Sequence, residues 1–249
     1  TNLIKPDAAV VSFIDKMRNT TYDKNVVEAR SSEMSNNPDR VGKTYDAILT
    51  EKLCTTGQTL YRRGNFMGTW DQVLVNSLRE EHSADFAMSA GVRWGTSVPA
   101  GGDVTMEDLM TNTSMTYGET YVSELKGAQL KEILEGIAEN LFVQDPYLQS
   151  GGDMVRMGGM DYTIDPAAGL GERISEMKDD EGTPIDPNKS YKVSGWAQVG
   201  SIGNGRLMWD VAADYLRKQK HLNLTKVNHP TIKGVKDNPG IENYDGKLL

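Results

Sequence analysis

Three short stretches of this chain join arginine to glycine outside any regular apolar pattern. They are "LYRRGNFMG", with Arg62, Arg63 and Asn65; "SAGVRWGTS", with Arg93 and Trp94; and "GGDMVRMGG", with Asp153 and Arg156. A guanidinium offers a planar fork of donors, and glycine lets backbone N–H groups approach a ligand closely. Such stretches suit the capture of an oxyanion: phosphate, sulfonate or carboxylate. Asp153 reads as a group that orients an arginine, since like charges repel. A plainer reading stands beside this one. The arginines can be unrelated surface residues paired with some of the 35 acidic side chains, and the glycine pairs of "LQSGGDMVRMGGMDY" can be hairpin turns. Composition alone leaves both open.

Other chemistries have less material. Only His82, His221 and His229 supply imidazole, and none has Asp or Glu at a spacing that resembles a metal cluster. The single Cys54 can form no intrachain disulfide and reads as a half-buried structural thiol. The net charge of −8 argues against a general nucleic-acid binder. No apolar run approaches the ~18 residues of a membrane span. With 249 residues, 25% charged and 38% hydrophobic, the chain has the make-up of a soluble globular protein of one large domain or two small ones. It opens on "TNLIKPD" rather than Met and shows no signal peptide, so we expect a mature, trimmed or excised piece.

The elements that must carry these residues follow from periodicity. "IKPDAAVVSFIDKMRN" places Val10, Phe13, Ile14 and Met17 on one helical face, with Pro6 suited to its first turn. The polar run near residues 24 to 45 reads as a mobile loop or insertion. "FMGTWDQVLVNSLREEH" spaces Trp70, Val73, Leu74 and Leu78 as a helix. The stripe Leu130, Ile133, Leu134, Ile137 and Leu141 marks "GAQLKEILEGIAENLF" as another. "ADFAMSAG", "ETYVSEL", "MDYTIDP", "ERISEMKD" and "SYKVSGWAQV" read as strands. "RLMWDVAADYLRKQ" reads as a last helix before a Pro- and Asn-rich tail from His221 onward. Helices and strands mix without a βαβ rhythm, so the expected class is α+β, a mixed sheet with packed helices.

In order along the chain, "YRRGNFMGTWDQVLV", "ADFAMSAGVRWGTSVPAGGDVTMEDL", "TYGETYVSELKGAQLKEIL" and "SYKVSGWAQV" resemble the C-terminal domain of the 5′-nucleotidase superfamily, over about residues 55 to 200. "LYRRGNFMGT", "RWGTS", "NLFVQDPYLQSGGDMVRMGG" and "YKVSGWA" resemble, more narrowly, its sulfur-oxidation branch, the Sox thiosulfohydrolases of SoxB type. Nucleotidases of the superfamily hold the base between two aromatics and the ribose on the Asp of a late "GGDG". Here Tyr117 matches one aromatic, the other falls near Gln198, and the late segment reads "SGWAQVGSIGNG" without the acid. Gly118 stands where the branch has Pro.

The resemblance implies that residues 1–22 are a connector helix from a missing N-terminal metallophosphatase-like domain, and residues 23–249 a substrate-binding C-terminal domain. The missing domain would hold two metal ions, expected to be manganese. This chain would bind none and be inactive alone. The substrate would be a cysteine S-thiosulfonate on the SoxYZ carrier, hydrolysed in the periplasm to release sulfate, with no nucleic-acid or membrane partner. Arg62, Arg63, Asn65, Arg93 and Arg156 would grip the sulfonate, with Arg156 outside any packed face. Trp94 and Trp196 would line a channel for the carrier arm, being otherwise ordinary core aromatics, and Tyr117 and Asp153 would complete the substrate-binding set. A phosphohydrolase that grips bases differently, or a binding module without catalytic partner, are the rival expectations.

Overall fold

The structure is a computed structural model. It describes residues 5–22, 37–61, 66–92, 94–113, 117–197 and 205–234. Arg62, Arg63, Asn65 and Arg93 lie outside the described residues, as do residues 23–36 of the polar run.

The first helix, α1 (Ala8–Arg18), starts at Asp7, whose carboxylate accepts from the N–H groups of Ala9 and Val10 at 2.9 and 3.0 Å. Pro6 therefore precedes the helix instead of opening its first turn. None of its residues is buried, and Phe13 is 64% exposed. The expected apolar face exists, but it meets solvent. Arg18 anchors the helix end through Asp46 at 2.7 Å and Glu107 at 2.8 Å. Asp46 belongs to α2 (Tyr45–Leu49) and Glu107 to α4 (Met106–Thr113). Before them on the chain, Thr21 bridges to Thr44.

Helix α3 (Thr69–His82) is the centre of the domain. Trp70, Val73, Leu74 and Leu78 are all fully buried, the stripe expected from their spacing. One side of α3 packs on strands β2 (Phe86–Ser89) and β5 (Arg156–Gly158), the other on α6 (Met208–Gln219). Helix α5 (Gly127–Phe142) buries Leu130 and Leu134, while Ile133, Ile137 and Leu141 are partly covered.

Among the described residues three sheets complete the α+β fold. β1 (Lys52–Thr56) lies between β3 (Asp103–Thr105) and β9 (His221–Leu222). β6 (Met160–Ile164) lies between β7 (Ile174–Asp179) and β10 (Thr231–Ile232). The four-stranded sheet runs β4 (Thr120–Lys126), β8 (Ser190–Trp196), β2, β5. In it β2 and β8 are parallel, and β4 and β5 are antiparallel to their neighbours. One apolar core gathers α3, α4, α6 and β1; a second gathers α5, β5, β6, β7 and the inner face of β8.

Two expectations need correction. "GGDMVRMGG" is not loop throughout: Arg156 opens β5, where it pairs with Ser89. The segment after His221 is no free tail up to Gly234. β9 pairs in parallel with β1 and β10 in parallel with β6, and Leu222 and Asn228 are buried.

Candidate functional site at one end of the four-stranded sheet

Register decides which candidates meet. Thr120 pairs with Trp196, Met88 with Gly195, and Ser89 with Arg156. The C-terminal ends of β2 and β8 and the N-terminal ends of β4 and β5 therefore share one edge of the sheet. That edge receives the Ala90–Val92 backbone, the Tyr117–Gly118 segment, Trp196 and Arg156, from stretches far apart in sequence.

Within this cluster the side chains separate by depth. Tyr117 is 52% exposed; Trp94, two residues beyond the Ala90–Val92 backbone, is 57% exposed. Trp196 is buried; its indole N–H donates to Ser89 Oγ at 2.7 Å, and its ring joins the first core. It is a core aromatic and does not line a channel. Gly118 sits under Trp209, where an added Cβ would lie 2.7 Å from the ring, and its carbonyl accepts from Met208 N at 2.7 Å. The β4 entry is thus fixed to α6 by close packing, with no proline needed.

Arg156 is 0% exposed. Its Nε lies 3.3 Å from Asp71 Oδ2, its Nη2 3.6 Å from Asp153 Oδ1, and its Nη1 donates to Met154 O at 2.9 Å. The expectation that Arg156 stands outside the packed interior is therefore wrong. In this arrangement its guanidinium cannot touch a sulfonate, because acidic and backbone oxygens surround it. Asp71 is also fully buried, and its two oxygens accept from Gly68 N at 2.9 Å and Val92 N at 2.8 Å. Burial pushes the Asp71 carboxyl upward; the Arg156 charge and the two N–H groups pull against that shift.

The second glycine pair answers to packing. A Cβ on Gly158 would lie 2.6 Å from Val75 Cβ of α3, and one on Gly159, whose φ is +82°, would lie 2.6 Å from Arg79 Cζ. The second pair lets β5 lie directly on α3. Gly91 is similarly bare, since a Cβ there would stand 2.6 Å from Arg156 Nη2.

Sequence reasoning passed over Asp71. Its signal was available: an acid at the third helical position after "MG", between the apolar stripe residues Trp70 and Val73, marks an N-terminal cap turned inward. It also passed over a polar cleft of about 450 Å³ where α3 meets residues 223–228. There Asn228 donates to Asp161 and Asp180 at 3.1 and 2.9 Å, and Lys226 and Arg79 pair with Asp180 at 2.9 and 2.7 Å. Burial alone would raise the Asp180 carboxyl, but the bonds from Lys226 and Asn228 and the Arg79 charge carry it below the usual carboxylate range. These groups satisfy one another, and the cleft fastens the late segment onto α3. Among the described residues no three His, Cys, Asp or Glu side chains are placed to hold a metal ion. None of the described helices is long and apolar enough to cross a membrane.

The fold is an α+β domain in which the ends of β2, β8, β4 and β5 bring Arg156, Trp196 and the Tyr117–Gly118 segment to one end of a sheet. Residues 45–210 match the family model of the 5′-nucleotidase C-terminal domain, and the chain belongs to that family. Among solved structures it is similar to the sulfate thiohydrolase SoxB of Thermus thermophilus, with 32% identity and a TM-score of 0.70 over 77% of this chain and 37% of that one. It shares the fold of a 5′-nucleotidase precursor, also from Thermus thermophilus, at 16% identity and TM-score 0.59 over 77% of this chain and 41% of that one. The same holds for the NAD nucleotidase of Haemophilus influenzae, at 17% identity and TM-score 0.61 over 76% and 39%. The chain spans roughly two fifths of the length of each. The comparison with curated proteins found no match.

Proposed function

We propose that this chain is the substrate-binding part of a thiosulfohydrolase, acting in the periplasm on a cysteine S-thiosulfonate presented by the SoxYZ carrier. The observation that carries the reading is the contrast in likeness: 32% identity to a sulfate thiohydrolase, against 16% and 17% to nucleotidases of the same fold. The missing late acid agrees with it, since "SGWAQVGSIGNG" offers no carboxylate to a ribose.

In the reaction, water oxygen bonds to the terminal sulfone sulfur and the S–S bond breaks. The electron pair leaves on the sulfane sulfur, giving a cysteine persulfide on the carrier and sulfate, with the water protons passing to products and solvent. The resemblance gives the manganese pair to the other domain, and in this proposal this chain's share is substrate capture. Trp94 and Tyr117 are large rigid surfaces that confine a flexible carrier arm at low entropic cost. Arg62, Arg63, Asn65 and Arg93 supply the donors for the sulfonate oxygens. The test is sulfate release from thiosulfonated carrier beside phosphate release from AMP, using the full-length protein. Sulfate release without AMP hydrolysis is expected; AMP hydrolysis without sulfate release overturns the proposal in favour of a nucleotidase, and neither activity favours a binding module.

A further inference from the structure

We infer that Asp71 and Arg156 are positioning residues that together fix the three backbone segments of the candidate site. The inference rests on the substrate-capture reading for its functional half, while its structural half stands on geometry alone. One carboxylate grips two of the segments. Asp71 Oδ2 takes the N–H of Gly68, and Oδ1 takes the N–H of Val92. In sequence Gly68 stands three residues after Asn65, and Val92 stands directly before Arg93 and Trp94. The third segment joins through the arginine. Arg156 pairs with Asp71 at 3.3 Å and folds back on its own chain through Met154 O at 2.9 Å and Asp153 at 3.6 Å. Bare Gly91 closes the packing against the guanidinium, leaving no room for a side chain of its own.

The couple is wholly buried, so neither residue need meet substrate to matter. Two opposed charges in a dry interior hold their geometry tightly because either one alone is costly there. A hydrophobic pair of similar volume could fill the space, but it could not accept the Gly68 and Val92 N–H groups. This separates the site's stability from its alignment, and displacement of a binding group by ~1 Å costs on the order of 100-fold in turnover.

The experiment compares Asp71→Asn, Arg156→Met and the double variant. In the 249-residue chain, amide hydrogen exchange is read at Gly68 and Val92. In the full-length enzyme, kcat and KM are read on whichever of thiosulfonated carrier or AMP the parent turns over. Each single variant is expected to lower Tm. The double should regain part of that loss, yet keep faster exchange at both amides, by about tenfold, and keep kcat/KM about 10- to 100-fold below the parent. A double variant that regains parental turnover makes the couple merely structural and overturns its functional half. Parental exchange at Gly68 and Val92 in Asp71→Asn overturns the structural half. An inactive parent on carrier, by contrast, fails the substrate reading, and the exchange arm still decides the geometry.

Discussion

Placing an alanine at Gly158 puts the packing account under direct strain. The new Cβ would sit 2.6 Å from Val75 Cβ and 2.8 Å from its Cγ2, with Arg79 Cδ at 3.4 Å. Carbon atoms rest at about 3.5–4.0 Å, so β5 and α3 must part by roughly 1 Å or tilt. Neither can yield cheaply: Gly158 pairs with Ala87 in the sheet, and Val75 is fully buried in the first core. Overpacking of this kind costs about 1–3 kcal/mol. Taking ~2 kcal/mol, Tm should fall by about 4–8 °C for a domain of this size. Gly152 is the internal control, since nothing lies within 4 Å of its Cβ position and its φ is not left-handed. Gly152→Ala should be neutral or stabilise by about 0.4–1 kcal/mol. Gly159→Ala should cost more than Gly158→Ala, because a left-handed φ of +82° adds to its contact with Arg79. Urea melts of the three variants, followed by far-UV circular dichroism, give the ranking. If Gly158→Ala lies within ~0.5 kcal/mol of the parent, or Gly152→Ala is equally damaging, close approach is not why Gly158 and Gly159 are present.

Three further outcomes follow from the same geometry. Trp94→Ala should leave Tm unchanged while lowering turnover on thiosulfonated carrier about tenfold, whereas buried Trp196→Ala should cost about 3–5 kcal/mol of stability; the reverse pattern refutes their assignment. The imidazoles of His82 and His229 are held below their usual pKa, chiefly by burial, so the unfolded chain binds protons first. Their contribution is complete above the unfolded value of ~6.5 and is lost as pH falls through the folded values, so Tm should decline on acidification from pH ~7. A His82→Asn, His229→Gln variant should flatten that limb in a pH series of thermal melts. Burial pushes the Cys54 thiol up to about 11, so iodoacetamide at pH ~8 should label it only as fast as the native fold opens; rapid native labelling would contradict its packing.

The fold could be read from sequence where one period governed one environment. α3 shows this well: Trp70, Val73, Leu74 and Leu78 repeat at helical spacing and all enter the core. α1 shows the converse, because periodicity reports an apolar face without saying what covers it. Arg156 was misread for a related reason. Its flanking glycines look like loop chemistry, but they are bare because a helix lies against them, and no local pattern encodes a neighbour as distant in sequence as Val75. The meeting of the Tyr117 segment, Arg156 and Trp196 at one edge depends on strand order and register, which arise from tertiary packing. The capping contact of Asp71 with Gly68 was legible locally, but its partners Val92 and Arg156 lie in other segments, so its inward role was missed. Asn228 was missed because proline and asparagine nearby suggest a tail.

The segment from His221 to Ile232 has a consequence for how the chain matures. It lays one short strand beside β1 and, ten residues on, another beside β6, which serve different sheets. It is therefore a clasp between two halves, and it leaves the ribosome after everything it fastens. Until it emerges, β1 and β6 each present an open edge, the kind of surface that recruits strands from other chains. A nascent or truncated chain stopping at Lys220 would carry both edges bare, with Gln72 and Asp180 stripped of Asn228. The domain's protection against self-association is thus delivered last, by a dozen residues that carry none of the candidate chemistry.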